Sequence, residues 1–177
     1  MVARAKAQRS LKSRALQILA QRDQSRLELG RKLLRHARRE AAEAGSEDDP
    51  APLLETQVEA LLDWLEANRF LSDERFVESR VHARVARFGN LRIRSELAQH
   101  GVAAPAELAQ ALAGSELDRA AAVRERRFAS LPLDAAERAA QSRFLANRGF
   151  TPDVIHRLMR RLRASGTDSA QARSDAD

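Results

Sequence analysis

Hydrophobic positions recur along this chain at the spacing of an α-helix, and the strict alternation of a β-strand is almost absent. In one clear case, Val77, Val81, Val85 and Phe88 follow one another at i, i+4, i+8 and i+11, which places all four on one helix face. The pattern predicts an all-α chain of about nine helices, at residues 10–21, 24–44, 54–68, 73–88, 91–100, 105–113, 116–129, 135–147 and 152–163.

Polar residues with the chemistry of helix caps precede several of these runs. Ser25 followed by Glu28 has the spacing of a capping box, in which the hydroxyl accepts from an unpaired amide at the helix start. Ser72 stands before an acidic first turn, which the positive end of the helix dipole favours. Ser115 and Asp134 predict two further helix starts.

Two stretches far apart in the chain share one pattern of turn residues. LAQHGVAAPAEL, residues 97–108, and LANRGFTPDVI, residues 145–155, each place a glycine and an apolar residue before a helix start that contains proline. Glycine ends a helix easily because it tolerates a positive φ. We predict structural turns at Gly101 and Gly149, and a third at Gly89. The recurrence indicates a repeated helical unit; chance recurrence of similar caps is the competing explanation.

The repeats define the predicted domain organisation. The segments are a disordered basic N-terminal tail at 1–8, a first three-helix repeat at 9–70 with an acidic loop at 45–52, a second three-helix repeat at 71–113, a third at 114–163, and a disordered C-terminal tail at 164–177. Because each repeat in a series contacts mainly its neighbours, we expect an elongated, curved array of three tandem three-helix repeats.

Charge is distributed unevenly along the chain, whose formal net charge is +6. Residues 1–39 contain twelve Lys and Arg side chains against two acidic ones, whereas residues 40–66 contain nine acidic side chains and no Lys or Arg. This alternation indicates a partner that carries phosphates or an acidic protein surface.

The chemistry needed for most catalytic sites is missing from the sequence. There is no Cys, the four His residues are far apart and lack metal-ligand spacing, and no glycine-rich phosphate loop is present. Ser and Asp occur mainly as helix caps. We therefore expect no enzyme activity, no cofactor and no metal site. No apolar run approaches the ~20 residues of a membrane span, and no secretory signal is evident, so a cytoplasmic protein is expected, as a monomer.

Arginines flank the apolar stripes on several predicted helices. Guanidinium groups held there can make bidentate contacts with carboxylates or phosphates. For a single arginine, an ordinary solvated face is the simpler explanation; the recurrence favours binding. The predicted partner-binding residues are Arg31, Arg35, Arg38, Arg80, Arg84, Arg87, Arg92, Arg94, Arg157, Arg160 and Arg161.

Motifs in the middle of the chain resemble the RecX regulatory proteins of bacteria. They are Asp73-x-x-Phe76, Gly89-x-x-Arg92-Ile93-x-x-Glu96-Leu97 and Gly101-Val102. The stretches QRDQSRLELGRKL and FLANRGFTPDVI resemble the outer repeats of the same family, so the likeness covers about residues 10–163. The sequence departs from the family at Arg69, where a turn glycine is usual, at His100, where a basic residue is commoner, and in having no Tyr.

The resemblance implies a fold of three tandem three-helix repeats and a regulatory role. RecX proteins bind the RecA recombinase and its filament on single-stranded DNA, and restrain ATP hydrolysis and strand exchange. This implies modulation of DNA recombination and repair, including the SOS response. The sequence leaves open whether RecA monomer or filament is preferred, and whether the arginines also bind DNA weakly and directly. The alternatives are a direct, sequence-independent DNA-binding helical protein and a scaffold for another acidic protein. Scarce aromatic residues argue against a base-stacking platform.

Overall fold

The helical pattern of the sequence is realised as eight α-helices in the part of the chain that the structure describes. This computed structural model describes residues 10–43 and 51–174, with side chains for residues 10–43 and 52–165. The helices are α1 (Leu11–Leu19), α2 (Arg26–Glu43), α3 (Ala51–Ala67), α4 (Asp73–Val85), α5 (Asn90–Gln99), α6 (Ala106–Glu125), α7 (Ala135–Asn147) and α8 (Pro152–Ser174). The predicted all-α class is confirmed.

Two differences from the predicted helices concern α6 and α8. The helices expected at 105–113 and 116–129 form one continuous helix, in which the Ser115 hydroxyl donates to the Ala111 carbonyl at 2.9 Å instead of capping a new helix. Burial of Leu112 and Ala120 on the same face outweighs the cost of Gly114, about 1 kcal/mol.

Helix α8 continues to Ser174, so residues 164–174 are helical where the sequence predicted a disordered tail. That segment contains no proline to stop the helix. The predicted basic tail at 1–8 and residues 45–50 of the predicted acidic loop lie outside the described residues, and residues 51 and 52 begin α3.

The chain divides into two compact units. Unit 1 extends to Ser79 and includes His100–Val102, and unit 2 holds Arg80–Gln99 and the residues from Ala103 onward. The boundaries of three successive repeats stay a prediction.

Unit 1 is built around the apolar faces of α1, α2 and α3. Its buried core consists of Ala15, Leu29, Leu33, Val58, Leu62, Leu65 and Leu71. Beside this core, Arg26 reaches from the start of α2 to three carboxylates of α3, those of Glu59, Asp63 and Glu66, at 2.6–2.7 Å. Burial would lower the pKa of Arg26, but the hydrogen bonds to Glu59 and Asp63 outweigh it and raise the pKa.

The predicted helix-ending turns of unit 1 both have a left-handed backbone. Gly101 has a φ of 73°, and Arg69, which stands where a glycine is usual, has a φ of 61°. The amides of Phe70 and Leu71 donate back to the Leu65 carbonyl at 2.9 and 3.2 Å, which closes the end of α3. Because this turn keeps its geometry with a side chain present, the backbone at Arg69 costs about 1 kcal/mol.

Unit 2 has its own buried core, between α6, α7 and α8. The residues are Ala120, Val123, Leu145, Phe150, Val154, Ile155 and Leu158. Phe150 follows Gly149, whose φ of 78° ends α7, so the apolar residue after the turn fills the core as the sequence pattern predicts. Asp134 caps α7 as predicted, accepting from the Glu137 amide at 2.7 Å.

Candidate partner-binding site

The turn between α4 and α5 is held against the turn between α7 and α8 by their backbones. The Gly89 amide donates to the Arg148 carbonyl at 3.0 Å, and the Leu91 amide donates to the Gly149 carbonyl at 2.9 Å. A Cβ at Gly89 would lie 2.3 Å from the Gly149 oxygen and from the backbone of Phe150. Gly89 is therefore needed for the close approach of two chain segments.

A buried carboxylate joins the first residues of α5 and α8. Glu116, on α6, is 2% exposed. Its Oε1 accepts from the backbone amides of Asn90 at 2.9 Å and Thr151 at 3.1 Å. Its Oε2 accepts from Asn90 Nδ2 at 3.1 Å and from the Thr151 hydroxyl at 3.0 Å. One side chain thus satisfies unpaired donors at two helix N-termini.

Arg119, one turn further along α6, binds the end of α4 and the turn after it. Its guanidinium donates to the carbonyl oxygens of Val85 at 3.3 Å and Phe88 at 2.9 Å, and to Asn90 Oδ1 at 2.5 Å. Burial lowers the pKa of Arg119, and the charge of Glu116 opposes that shift. Glu116 and Arg119 together fix the backbone on both sides of Phe88.

Four guanidinium groups surround the half-buried Phe88 ring at this turn. Their central carbons lie 4.4 Å (Arg92), 5.7 Å (Arg87), 5.8 Å (Arg148) and 6.0 Å (Arg84) from the ring centroid. These distances are within the range at which the ring quadrupole attracts a cation. The aromatic ring therefore offsets part of the repulsion between the like charges.

The carboxylate of Glu96 lies among these cations. Glu96 Oε2 accepts a hydrogen bond from Arg84 Nε at 2.9 Å, and Glu96 forms ion pairs with Arg92 at 3.6 Å and Arg80 at 3.9 Å. Burial would raise the pKa of Glu96, but the hydrogen bond from Arg84 and the charges of Arg84 and Arg80 outweigh it and lower the pKa. Glu96 is therefore ionised at neutral pH. The Phe88 cluster is defined here as Phe88, Arg80, Arg84, Arg87, Arg92, Glu96 and Arg148.

Four of the eleven predicted arginines, Arg80, Arg84, Arg87 and Arg92, are brought together in this cluster. Arg94 is exposed on α5. Sequence reasoning missed Arg148, which directly follows α7 and joins the cluster through the contact between the two turns. The sequence feature that could have indicated Arg148 is its position directly before Gly149, in the stretch that repeats the pattern around Gly101.

The remaining predicted arginines lie on other helices and are all exposed. On α2, Arg38 pairs with Glu55 at 2.8 Å. On α8, Arg157 pairs with Asp153 at 3.7 Å. The others are Arg31, Arg35, Arg160 and Arg161. Their assignment to a binding surface stays a prediction.

Comparison with known proteins connects this geometry to a family. Two family models match the chain, the second three-helix domain of RecX over residues 72–112 and the third three-helix domain of RecX over residues 115–159. A regulatory protein RecX from Herbaspirillum seropedicae is 50% identical over 153 residues, which cover 85% of this chain and 87% of that protein. The chain belongs to the RecX family.

Other RecX proteins match over a similar share of this chain. Regulatory protein RecX from Leptothrix cholodnii is 46% identical, with 86% of this chain and 89% of that protein covered. The crystal structure of RecX from Lactobacillus salivarius has a TM-score of 0.61 at 15% identity, covering 87% of this chain and 95% of that chain, which shows a shared fold. Membership in RecX assigns a regulatory role. Among the described residues, no helix is both long and apolar enough to cross a membrane.

Proposed function

We propose that this RecX protein binds the RecA recombinase and its filament on single-stranded DNA, and inhibits ATP hydrolysis and strand exchange. Through this inhibition it modulates recombination and DNA repair, including the SOS response. The observation that carries the proposal is the Phe88 cluster, in which five arginines from α4, α5 and two turns lie together in a chain that belongs to the RecX family. We place this role in the cytoplasm and assign it to the monomer.

The cluster has the properties of a protein-binding site for acidic groups. Arginine binds carboxylates through two parallel N–H groups, which gives direction as well as attraction. Here the side chains come from α4, α5 and two turns whose backbones are fixed by Glu116 and Arg119. Less conformational entropy is therefore lost on binding than for arginines on a mobile loop. Arginines that bridge neighbouring protomers would block the rearrangement that ATP hydrolysis requires.

Direct, sequence-independent binding to DNA is the second candidate. It is favoured by the exposed arginines on α2 and α8, such as Arg31 and Arg160, which lie outside the Phe88 cluster. Binding to phosphates weakens steeply as the salt concentration rises, because it depends on counterion release. We therefore propose that DNA binding is weak at physiological salt and subsidiary to RecA binding.

The test is a charge reversal at the centre of the cluster. The double variant Arg84→Glu/Arg87→Glu is expected to raise the concentration needed for half-inhibition of the RecA ATPase at least tenfold, because two cations become anions beside Glu96. Arg84→Gln/Arg87→Gln removes the charges without new repulsion and is expected to weaken inhibition less. Circular dichroism checks that both variants keep the helical content of the parent.

The matched control is Arg138→Glu/Arg143→Glu on α7, which makes the same change in net charge in the same unit. It is expected to inhibit like the parent. Pull-down of RecA with and without single-stranded DNA, over a salt series, separates the two candidates. Equal inhibition by the parent and both Arg84/Arg87 variants would discredit the cluster, and binding to naked DNA alone would favour the second candidate.

A further inference from the structure

Glu96 lies within the Phe88 cluster and engages only one edge of the guanidinium groups of Arg84 and Arg92. It contacts Arg80, Arg84 and Arg92 through their Nε atoms. Within the described part of the chain, no hydrogen bond engages the Nη atoms of Arg84 or Arg92, whose side chains are 33% and 49% exposed. Both guanidinium groups can therefore receive an anion from outside while Glu96 holds them.

A carboxylate in this position affects the two candidate partners differently. The DNA backbone offers closely spaced negative charges and no hydrogen-bond donor, so a phosphate that reaches Arg84 or Arg92 is repelled by Glu96. A folded protein surface can present a carboxylate to the Nη atoms and a hydroxyl or amide donor to Glu96. The same residue thus opposes a uniform polyanion and tolerates an acidic surface that also contains donors.

We infer that Glu96 is a specificity-determining residue, which makes the Phe88 cluster favour an acidic protein surface containing hydrogen-bond donors over the sugar–phosphate backbone of DNA. The inference rests on the proposed function and adds the chemical basis for choosing between its two partners. Unfavourable electrostatics against one partner is a general route to specificity.

The experiment compares Glu96→Gln with the parent in two assays. Glu96→Gln keeps the size and one acceptor oxygen but removes the negative charge. Fluorescence anisotropy with a labelled single-stranded oligonucleotide is expected to show affinity raised about three- to tenfold at about 50 mM salt, from the Coulomb energy of one charge beside a phosphate. The difference is expected to shrink at high salt because of screening. The concentration for half-inhibition of the RecA ATPase is expected to rise, because a hydrogen-bond donor on the partner surface loses its charged acceptor.

Two control variants separate local charge from other causes. Glu125→Gln removes an exposed carboxylate of α6 in the same unit and is expected to bind DNA like the parent. Glu96→Asp keeps the charge and is expected to restore the parent's DNA affinity. The inference is overturned if Glu96→Gln binds DNA no more tightly than Glu125→Gln, or if both assays improve by the same factor.

Two further results are decisive. Loss of helical content in Glu96→Gln makes Glu96 a residue needed for folding, which also overturns the inference. If the parent fails to inhibit RecA while Glu96→Gln still gains DNA affinity, the proposed function fails on its own, and the effect of Glu96 on DNA binding stands.

Discussion

Replacing Glu116 by Gln tests whether one buried carboxylate organises the binding site. The carboxylate accepts four hydrogen bonds, two from Asn90 and two from Thr151, with two at each oxygen. Glutamine has the same shape but one acceptor oxygen, and its amide group would face two donors. Glu116→Gln therefore removes one acceptor oxygen, which takes two hydrogen bonds, while leaving the packing of α6 unchanged.

The expected loss of stability follows from these contacts. A buried donor that loses its acceptor costs about 1–3 kcal/mol. With two donors stranded, Glu116→Gln is expected to lower the free energy of unfolding by about 2–5 kcal/mol, a large part of the 5–15 kcal/mol of an ordinary domain. The loss falls on the starts of α5 and α8, and therefore on the two turns that carry Phe88 and Arg148.

Urea denaturation followed by circular dichroism measures the total effect, and hydrogen exchange measures where it falls. The amides of Asn90 and Thr151 are expected to lose protection by a factor of ten or more. Glu125→Gln, on the exposed face of the same helix, is expected to leave both measurements unchanged. An unaltered urea midpoint together with full protection at Asn90 and Thr151 would show that Glu116 has no organising role.

Two further predictions concern stability. Gly89→Ala places a Cβ 2.3 Å from backbone atoms and is expected to destabilise the fold by about 3 kcal/mol. In α6, the Cβ of Gly114→Ala would meet nothing within 4 Å, so this variant is expected to stabilise the fold by about 0.5–1 kcal/mol. Urea denaturation measures both changes. At Glu28, burial would raise the pKa, but hydrogen bonds from Arg22 and Lys32 outweigh it and lower the pKa to about 2. The native state therefore gains about 3 kcal/mol above pH 4.5, and this is lost as the pH falls toward 2. Glu28→Gln is expected to flatten that part of the stability curve, and an unchanged curve would contradict the assigned ion pairs.

The helices could be predicted because local chemistry determines most of their ends. Asp134 and Ser72 accept from amides at the starts of α7 and α4, as their spacing indicates. Gly114-Ser115 looks like a break for the same local reasons, yet the helix continues because tertiary burial along α6 outweighs a small local preference. Arg69 shows the same limit, since its left-handed turn is kept without the glycine that local sequence rules require.

The binding site could be predicted only in part, because it depends on contacts between distant segments. The α4 and α5 arginines follow from helical periodicity on adjacent helices. Arg148 joins them through backbone hydrogen bonds across about sixty residues of sequence. Glu116, in the middle of α6, has the appearance of an ordinary surface residue, and nothing in its local sequence indicates that two helix starts depend on it.

The backbone contact between Gly89 and Arg148 has a consequence for how such proteins evolve and can be engineered. A fragment covering residues 72–112 would contain its three helical segments but not the acceptors for the amides of Gly89, Asn90 and Leu91. The residues matched by one three-helix domain model are therefore not a part that can be excised. Exchanging one such unit between relatives requires transferring the matching turn and α6 as well.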